Sequence, residues 1–524
     1  MNKLHVLDCT LRDGGYCNEW RFGKQNIRKI IQSLTDAEID VIECGFLTNR
    51  VDYHEDVTKF TDLHQVTEFL PAQRGRKKYV VMLNYGEYDV DKIPDRQEGM
   101  IDGIRVAFHK KDLKESMELC RRLKAKGYIV FVQAMVSLCY TDQEFMDLIG
   151  MVNEFEPYAF YIVDSFGMMK QKNLLRLFYM IEHNLKDNIW IGFHSHNNMQ
   201  LAYSNAQALV EVQTNRNLVV DSSVYGMGRG AGNLNTELFI EYLNETIGTK
   251  YSLKPLLNVI DEILNHFYEK NYWGYSLPNY ISAVHCAHPN YSTYWAEKNT
   301  LTVEAIDELF SLMPQDKRFE FDKEYAEKLY LQYMESGVQH TAHNDEFVKS
   351  VKDQTILLIA PGKSVEVEQE KIKEYVKAHP CVVMSVNFNY QHLDADYLFV
   401  SNNRRMKELA DHQGKKLIVT SNIASEDVYM KVDYFSLLTP YEAVRDNAGM
   451  MAIQFLINSG AKEIVLAGFD GYSKDSSSNY VVEYMEHLMN SAKREAQNEA
   501  MRKLIAEHAK QVKIQFLTQT LLND

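Results

Sequence analysis

A closed (β/α)8 barrel with a helical extension, followed by a Rossmann-like α/β domain, is the architecture this 524-residue sequence predicts. Three observations predict it. From residue 1 to about 245, β-rich runs alternate with amphipathic stretches of helical length, eight runs in all, which is the span of such a barrel. Polar residues that break the periodicity cluster just behind the runs, where a barrel of this kind places its chemistry. A second alternation, with turn signals of its own, starts at Thr355.

The eight runs are residues 5–9, 41–46, 79–83, 103–108, 129–136, 160–163, 189–193 and 218–224. Predicted helices between them include 24–37, 113–126, 142–155, 170–184 and 201–212. Behind the first run come Arg12 and Asp13, and then Gly14 and Gly15, which let the chain turn sharply. A guanidinium and a carboxylate at the end of a buried strand are costly to desolvate unless paired or bound to something. Glu43, His109, Asp164, His194 and His196 stand behind other runs. Residues i and i+2 of a strand face the same way, so the imidazoles of His194 and His196 reach one point. With Asp13 they make a facial metal site that leaves positions open for substrate. Taken singly, Arg12-Asp13 also reads as a structural ion pair and each histidine as a core residue; the combination points to a metal. An open doubly wound sheet rarely collects ligands from so many strand ends.

Residues 246–345 read as the extension and a linker, with helices at 253–268, 303–312 and 323–334 and loop-like aromatic tracts at 273–275 and 287–294. The polar stretch 335–345 is the expected linker. Residues 350–524 carry strands at 356–360, 382–386, 397–400, 417–420 and 464–467. Helices are expected at 366–378 and 441–459, and 483–510 reads as a surface helix or an oligomer contact. Pro361-Gly362-Lys363-Ser364 lacks Walker A spacing; strand, glycine turn and helix start form a generic anion-binding arrangement.

Composition narrows the function classes. A net charge of −15 argues against a nucleic-acid surface, though local arginines still permit anionic substrates. The seven scattered cysteines form no CxxC pair, which suits a reduced, cytoplasmic protein. No apolar stretch is long enough for a signal peptide or a membrane span. A homo-oligomer acting on small molecules is the expectation.

Several motifs together resemble the DRE-type TIM-barrel metallolyases, the HMGL-like family. They are Thr10-Leu11-Arg12-Asp13-Gly14, Ile42-Glu43, Asp164-Ser165-Phe166-Gly167, His194-Ser195-His196-Asn197 and Gly226-Met227-Gly228-Arg229-Gly230-Ala231-Gly232-Asn233. Ile104-Arg105-Val106-Ala107-Phe108-His109 is similar to the 4-hydroxy-2-oxovalerate aldolase branch, and the likeness runs over roughly residues 1 to 295. The resemblance implies Asp13, His194 and His196 as metal ligands, with Asn197 as a further one. Mn²⁺ is the implied ion; the donor set also suits Fe²⁺, Co²⁺ or Zn²⁺, and Mg²⁺ is an alternative. Such an ion chelates a 2-oxo acid and stabilises the enolate formed when the neighbouring C–C bond breaks, with Arg12 bonding the same oxyanion. Ser165 would line the substrate carboxylate site.

The sequence departs from that branch in two places. Tyr16 stands where the aldolases carry a histidine that handles the substrate hydroxyl proton. A phenol needs a nearby cation to act as a base; His109 or a bound water is the alternative, and Tyr16 then only packs. Tyr275 lies in a segment resembling one that lends a tyrosine to the aldolase pocket, or else packs in the core. Glu43 either orients Arg12 or a ligand histidine, or makes a structural salt bridge. The glycine loop at 226–232 presents N–H groups to an anion and holds no cysteine, which favours an aldolase over an enzyme acting on acyl-CoA thioesters.

The second departure is the C-terminal domain, which replaces a short segment that docks an aldehyde dehydrogenase. Its segments 385–387 and 466–471 resemble Rossmann-like sugar-transferase and pterin-kinase-like domains. That likeness implies a nucleotide or nucleotide-sugar pocket lined by Gly362, Ser364, Asn387 and Asp470; a domain kept for assembly is the alternative. The expected function is a divalent-metal-dependent aldolase joining or cleaving a pyruvate-type enolate and an aldehyde. A Claisen-type acyl-CoA synthase or lyase, and a silent barrel serving as scaffold, are the competing expectations.

Overall fold

Eight parallel strands close into a barrel: β1 (Lys3–Asp8), β2 (Val41–Leu47), β3 (Lys78–Asn84), β4 (Gly103–Phe108), β5 (Ile129–Ala134), β6 (Ala159–Asp164), β7 (Trp190–Ser195) and β8 (Asn217–Ser222). Closure is made by β1, which pairs β8 through Leu7↔Asp221 and β2 through Leu7↔Val41. A two-residue strand, Lys59–Phe60, adds to the edge of β2. The structure is a computed structural model and describes residues 3–249, 251–335, 344–409, 415–425, 427–475, 479–482, 485 and 491–523.

The strands are mostly apolar because both of their faces are buried. Leu7, Val41, Val80, Phe131, Tyr161 and Val219 fill the barrel interior. Their neighbours Val6, Ile42, Val81, Val130, Ile162 and Val220 face the surrounding helices. The helices follow their sequence periods closely. Asp142–Phe155 starts at a capping box in which Thr141 and Glu144 bond each other's backbone N–H, satisfying two donors that a helix start leaves open. The expected helix at 253–268 forms as Lys254–Val259, a π-helical turn Ile260–Leu264, and Asn265–Lys270.

The chain folds into two compact units, Met1–Thr293 with Met313–Phe321, and Tyr294–Leu312 with Asp322–Asp524. The stretch expected as one extension is therefore shared between them. The linker expected at 335–345 lies mostly outside the described residues, at 336–343. The aromatic tract 287–294, expected as loop, enters a helix, Pro289–Glu297.

The second unit holds a parallel sheet of seven strands: β9 (Thr355–Ile359), β10 (Val382–Val386), β11 (Tyr397–Val400), β12 (Lys416–Thr420), β13 (Met430–Val432), β14 (Glu463–Ala467) and β15 (Lys513–Phe516). Their order is β13-β12-β11-β10-β9-β14-β15, so the direction of winding reverses between β9 and β14. β13 and β15 were not expected; both are short, and β15 is largely exposed, so neither shows an apolar run. The helix expected at 441–459 is confined to Ala448–Asn458, because Asn447 caps it by accepting from Met450 N–H. Of the helix expected at 483–510, Ser491–His508 is formed, and 483–484 and 486–490 lie outside the described residues.

Candidate active site

The residues behind β1 do not turn on glycine flexibility as expected. Thr10–Asp13 is one short helical turn and Gly14–Cys17 a 3-10 turn, and Gly14 has an ordinary helical φ of −59°. Glycine is needed for space: a Cβ on Gly15 would stand 2.1 Å from the Trp20 ring. Trp20 Nε1 in turn donates to Arg12 O at 2.7 Å, which fixes the turn that carries Arg12 and Asp13.

Asp13, His194 and His196 converge at the mouth of the barrel, with one ligand atom of each lying within 4.8 Å of the others. All three are buried. Burial opposes the charge of Asp13, but Arg12, the two imidazoles and Arg229 more than offset it and hold the carboxyl well below the usual range. Burial pushes His196 down to about 3 against the pull of Asp13, so its ring is neutral and able to ligate. His196 Nδ1 is buried without a hydrogen-bond partner, 3.7 Å from Asp13 Oδ2, and Asn233 Nδ2 donates to Asp13 Oδ2 at 2.7 Å. One carboxylate and two imidazoles, with one ring nitrogen lacking a hydrogen-bond partner, are a fitting donor set for a borderline divalent ion.

A chain of buried charges holds this triad. His194 Nδ1 meets Asp221 Oδ2 at 2.9 Å, leaving Nε2 to face the cavity. Asp221 is also paired with Arg105, whose Nη1 lies 2.8 Å from Glu43 Oε2. The same Glu43 oxygen accepts from Arg12 Nε at 2.8 Å, and Arg12 Nη1 reaches Asp13 Oδ1 at 2.5 Å. Glu43 thus orients Arg12, and Arg12 Nη2 is left buried without a partner. In the sequence Arg105 stands only as part of a motif, with no role of its own, and Asp221 was not singled out. Their signal was a charge inside an otherwise apolar strand, at inward positions of β4 and β8.

The glycine loop closes the site. A Cβ on Gly228 would lie 2.6 Å from Asp13 Oδ2 and 2.2 Å from Asn233 Nδ2. Arg229 N–H donates to Asp13 Oδ2 at 3.3 Å, and its Nη2 donates to Ser165 O at 2.9 Å. Ser165 lines the cavity, with its Oγ accepting from Val136 N–H. Asp164 faces away from the cavity and accepts from Met168 and Met169 N–H at 3.0 Å each; burial raises it to about 6.

The remaining expected residues divide. Tyr16 lines the cavity rim, 41% exposed as a residue, with the Arg229 guanidinium 5.5 Å from its ring; desolvation of the phenol outweighs that cation and raises its pKa, so Tyr16 stays protonated. His109 lines the cavity, lowered by burial against the pull of Glu320. Asn197 Oδ1 instead accepts from Ala202 N–H at 3.2 Å, near the start of helix Ala202–Glu211, and Asn197 does not line the cavity. Tyr275 is 59% exposed beside Tyr280 and does not line the cavity; the aromatic buried by that segment is Trp273, which bonds Tyr225 O. His288 and Phe319–Phe321, all from beyond residue 285, complete the lining and were not foreseen.

In the second unit a cleft opens at the C-terminal ends of β9, β10, β11 and β14, where the winding reverses. Gly362, Asn387 and Asp470 line it, together with the buried Arg405. Ser364 does not: its hydroxyl bonds Asp470 and Thr518, bracing the turn from behind.

Among the described residues no helix is long and apolar enough to cross a membrane. The HMGL-like family model matches residues 3–263. A 4-hydroxy-2-oxovalerate aldolase of Geobacillus genomosp. 3 is 26% identical over 267 residues, 50% of this chain and 77% of the relative. Its namesake in Thermomicrobium roseum is 27% identical over 258 residues, 48% of this chain and 69% of the relative. A solved N-terminal domain from Bacteroides vulgatus aligns with TM-score 0.48 and 26% identity, covering 56% of this chain and 96% of that domain. The barrel, residues 3–263, is therefore a domain of the HMGL-like family.

Proposed function

We propose that the barrel is a divalent-metal-dependent aldolase that makes or breaks a C–C bond between a pyruvate-type enolate and an aldehyde. The observation that carries this reading is the buried convergence of Asp13, His194 and His196 beneath an arginine with an unpartnered donor. When bound there, a divalent ion, Mn²⁺ in this reading, supplies Lewis acidity toward the ketone and carboxylate oxygens of a 2-oxo acid. Arg12, fixed by Glu43, aims Nη2–H at the developing oxyanion. His109, half-buried and shifted toward its neutral form by desolvation, takes the hydroxyl proton of the aldol during cleavage. Tyr16 stays protonated, and acts as a hydrogen-bond donor at the rim rather than as the base. The reading includes a cytoplasmic setting, in keeping with seven free cysteines, and a homo-oligomeric assembly.

Exchange of the pyruvate methyl protons for deuterium in the presence of Mn²⁺ tests the enolate chemistry directly, and a screen of aldehydes with pyruvate, read by mass spectrometry, finds the second substrate. Release of CoA thiol from acetyl-CoA and a 2-oxo acid, without pyruvate exchange, would transfer the barrel to the Claisen class.

We also propose that the cleft of the second unit takes a nucleotide or nucleotide-linked sugar. Its position at the reversal of strand order supports this, as does Asn387, held at a left-handed φ of 61° with Oδ1 buried and unpartnered. Thermal stabilisation by nucleoside phosphates, absent in Asn387→Ala, is the expected result; no shift with any nucleotide would leave the domain to assembly.

A further inference from the structure

Two hydrogen-bond donors face each other in the barrel cavity with no acceptor between them. His288 Nδ1 accepts from the Asn290 backbone N–H at 3.2 Å, which assigns the proton of a neutral ring to Nε2. That Nε2 lies 3.5 Å from Arg229 Nη1, and a guanidinium offers no acceptor. Burial, joined by the charge of Arg229, pushes His288 well below the usual imidazole range, so the neutral form is the one present. Arg229 Nε is buried as well, with no protein partner.

Neither group is free to turn away. Arg229 is tethered by Nη2 to Ser165 O and by its backbone to Asp13. His288 is flanked by the rings of Phe166 and Phe321, and its backbone N–H donates to Arg318 O at 2.7 Å. Both side chains line the cavity that holds Asp13, His194 and His196. A fixed cation and a fixed N–H aimed at one point, each with an unmet donor, call for an anion.

We propose that Arg229 and His288 form an anion clamp that takes a carboxylate of the substrate, separate from the metal-ligating triad. The planar guanidinium suits a carboxylate, and the His288 N–H adds a donor at the same point. The proposal rests on the aldolase reading for the identity of the substrate, not for the presence of the clamp. The carboxylate comes either from the 2-oxo acid or from an acidic aldehyde.

Calorimetric titration of the Mn²⁺-loaded protein separates these sources. Oxalate serves as the probe for the 2-oxo acid. Glyoxylate and acetaldehyde, each added with oxalate saturating, serve for the aldehyde. In Arg229→Gln the affinity for oxalate should fall about 10- to 100-fold, the loss expected for a charge-assisted hydrogen bond, with Mn²⁺ affinity and thermal midpoint as in the wild type. If the carboxylate belongs to the aldehyde, oxalate is unaffected, and glyoxylate, but not acetaldehyde, weakens by that factor. His288→Gln, which keeps a side-chain N–H, should bind more tightly than His288→Leu. Equal affinities for every probe in Arg229→Gln and wild type would overturn the clamp, as would a parallel loss of Mn²⁺, which would make Arg229 a support for Asp13. Failure of the wild type to exchange pyruvate protons while Arg229-dependent oxalate binding persists would instead sink the aldolase reading and leave the clamp.

Discussion

The mouth of the barrel and the cleft of the second unit both lie at the C-terminal ends of parallel strands, yet they are built from different materials. The barrel site is strung on polar side chains that pass through the core: Arg12, Glu43, Arg105 and Asp221, which pair as ions, and His194 at the end, each touching the next. The cleft is shaped by backbone. Gly362 approaches Gly468 so closely that a Cβ would stand 2.3 Å from its carbonyl oxygen, and Asp470 is spent on Ser364 N–H at 2.7 Å. Replacing buried charge by apolar residues is often neutral or stabilising, so a four-member chain of it is weak evidence for stability and better evidence for holding a reactive constellation still. Backbone turns and amides, by contrast, suit recognition of a ligand that is held rather than transformed.

This contrast can be broken at its strongest point first. Asp13→Asn should abolish Mn²⁺ binding and pyruvate proton exchange, a loss beyond the ~10–100-fold that removal of a supporting partner costs. Retained exchange would mean the triad is not the site. Next, Arg105→Met removes the guanidinium that two buried carboxylates share, leaving Glu43 to Arg12 and Asp221 to His194. Equilibrium denaturation should show a loss of about 3–5 kcal/mol, the cost of breaking a buried ion pair. A change below ~1 kcal/mol would show the charge chain to be slack.

Asp221→Asn is a gentler cut, since it keeps the shape but weakens the hold on His194 Nδ1. Mn²⁺ affinity should drop by roughly 10- to 100-fold with the fold intact; an unaltered affinity would detach Asp221 from the metal site. Smallest is Ser364→Ala in the second unit, which removes a hydrogen bond to Asp470. The expected loss is about 1 kcal/mol in denaturation, with pyruvate exchange unchanged. A large fall in exchange would show that the two sites are coupled, and the comparison would need to be redrawn.

Much of the barrel site was legible because its residues follow short-range rules. His194 and His196 share a face by strand period, and Arg12-Asp13 stands directly behind an apolar run. Arg105 and Asp221 were equally visible as charges in apolar strands, but nothing local says that they meet across 116 positions of chain. Tyr275 misled because a Gly-Tyr segment reads the same whether the ring points in or out; Gly274, at φ +130°, leads into an exposed Tyr275, while Trp273 is the ring that is buried. His288 and Phe319–Phe321 were hidden for a related reason, since their place at the cavity is fixed by contacts to distant loops.

By itself the sequence determined the eight-strand alternation, the strand ends that bear the chemistry and the second parallel sheet, because apolar periodicity and turn residues act over a few positions of chain. Only the tertiary structure decided which charges pair, that Tyr16 stays protonated, that Asn197 serves a helix and that Arg229 faces His288. Those outcomes depend on burial and on which distant group arrives within hydrogen-bonding or ion-pairing reach, and both are properties of the closed barrel, not of any segment within it.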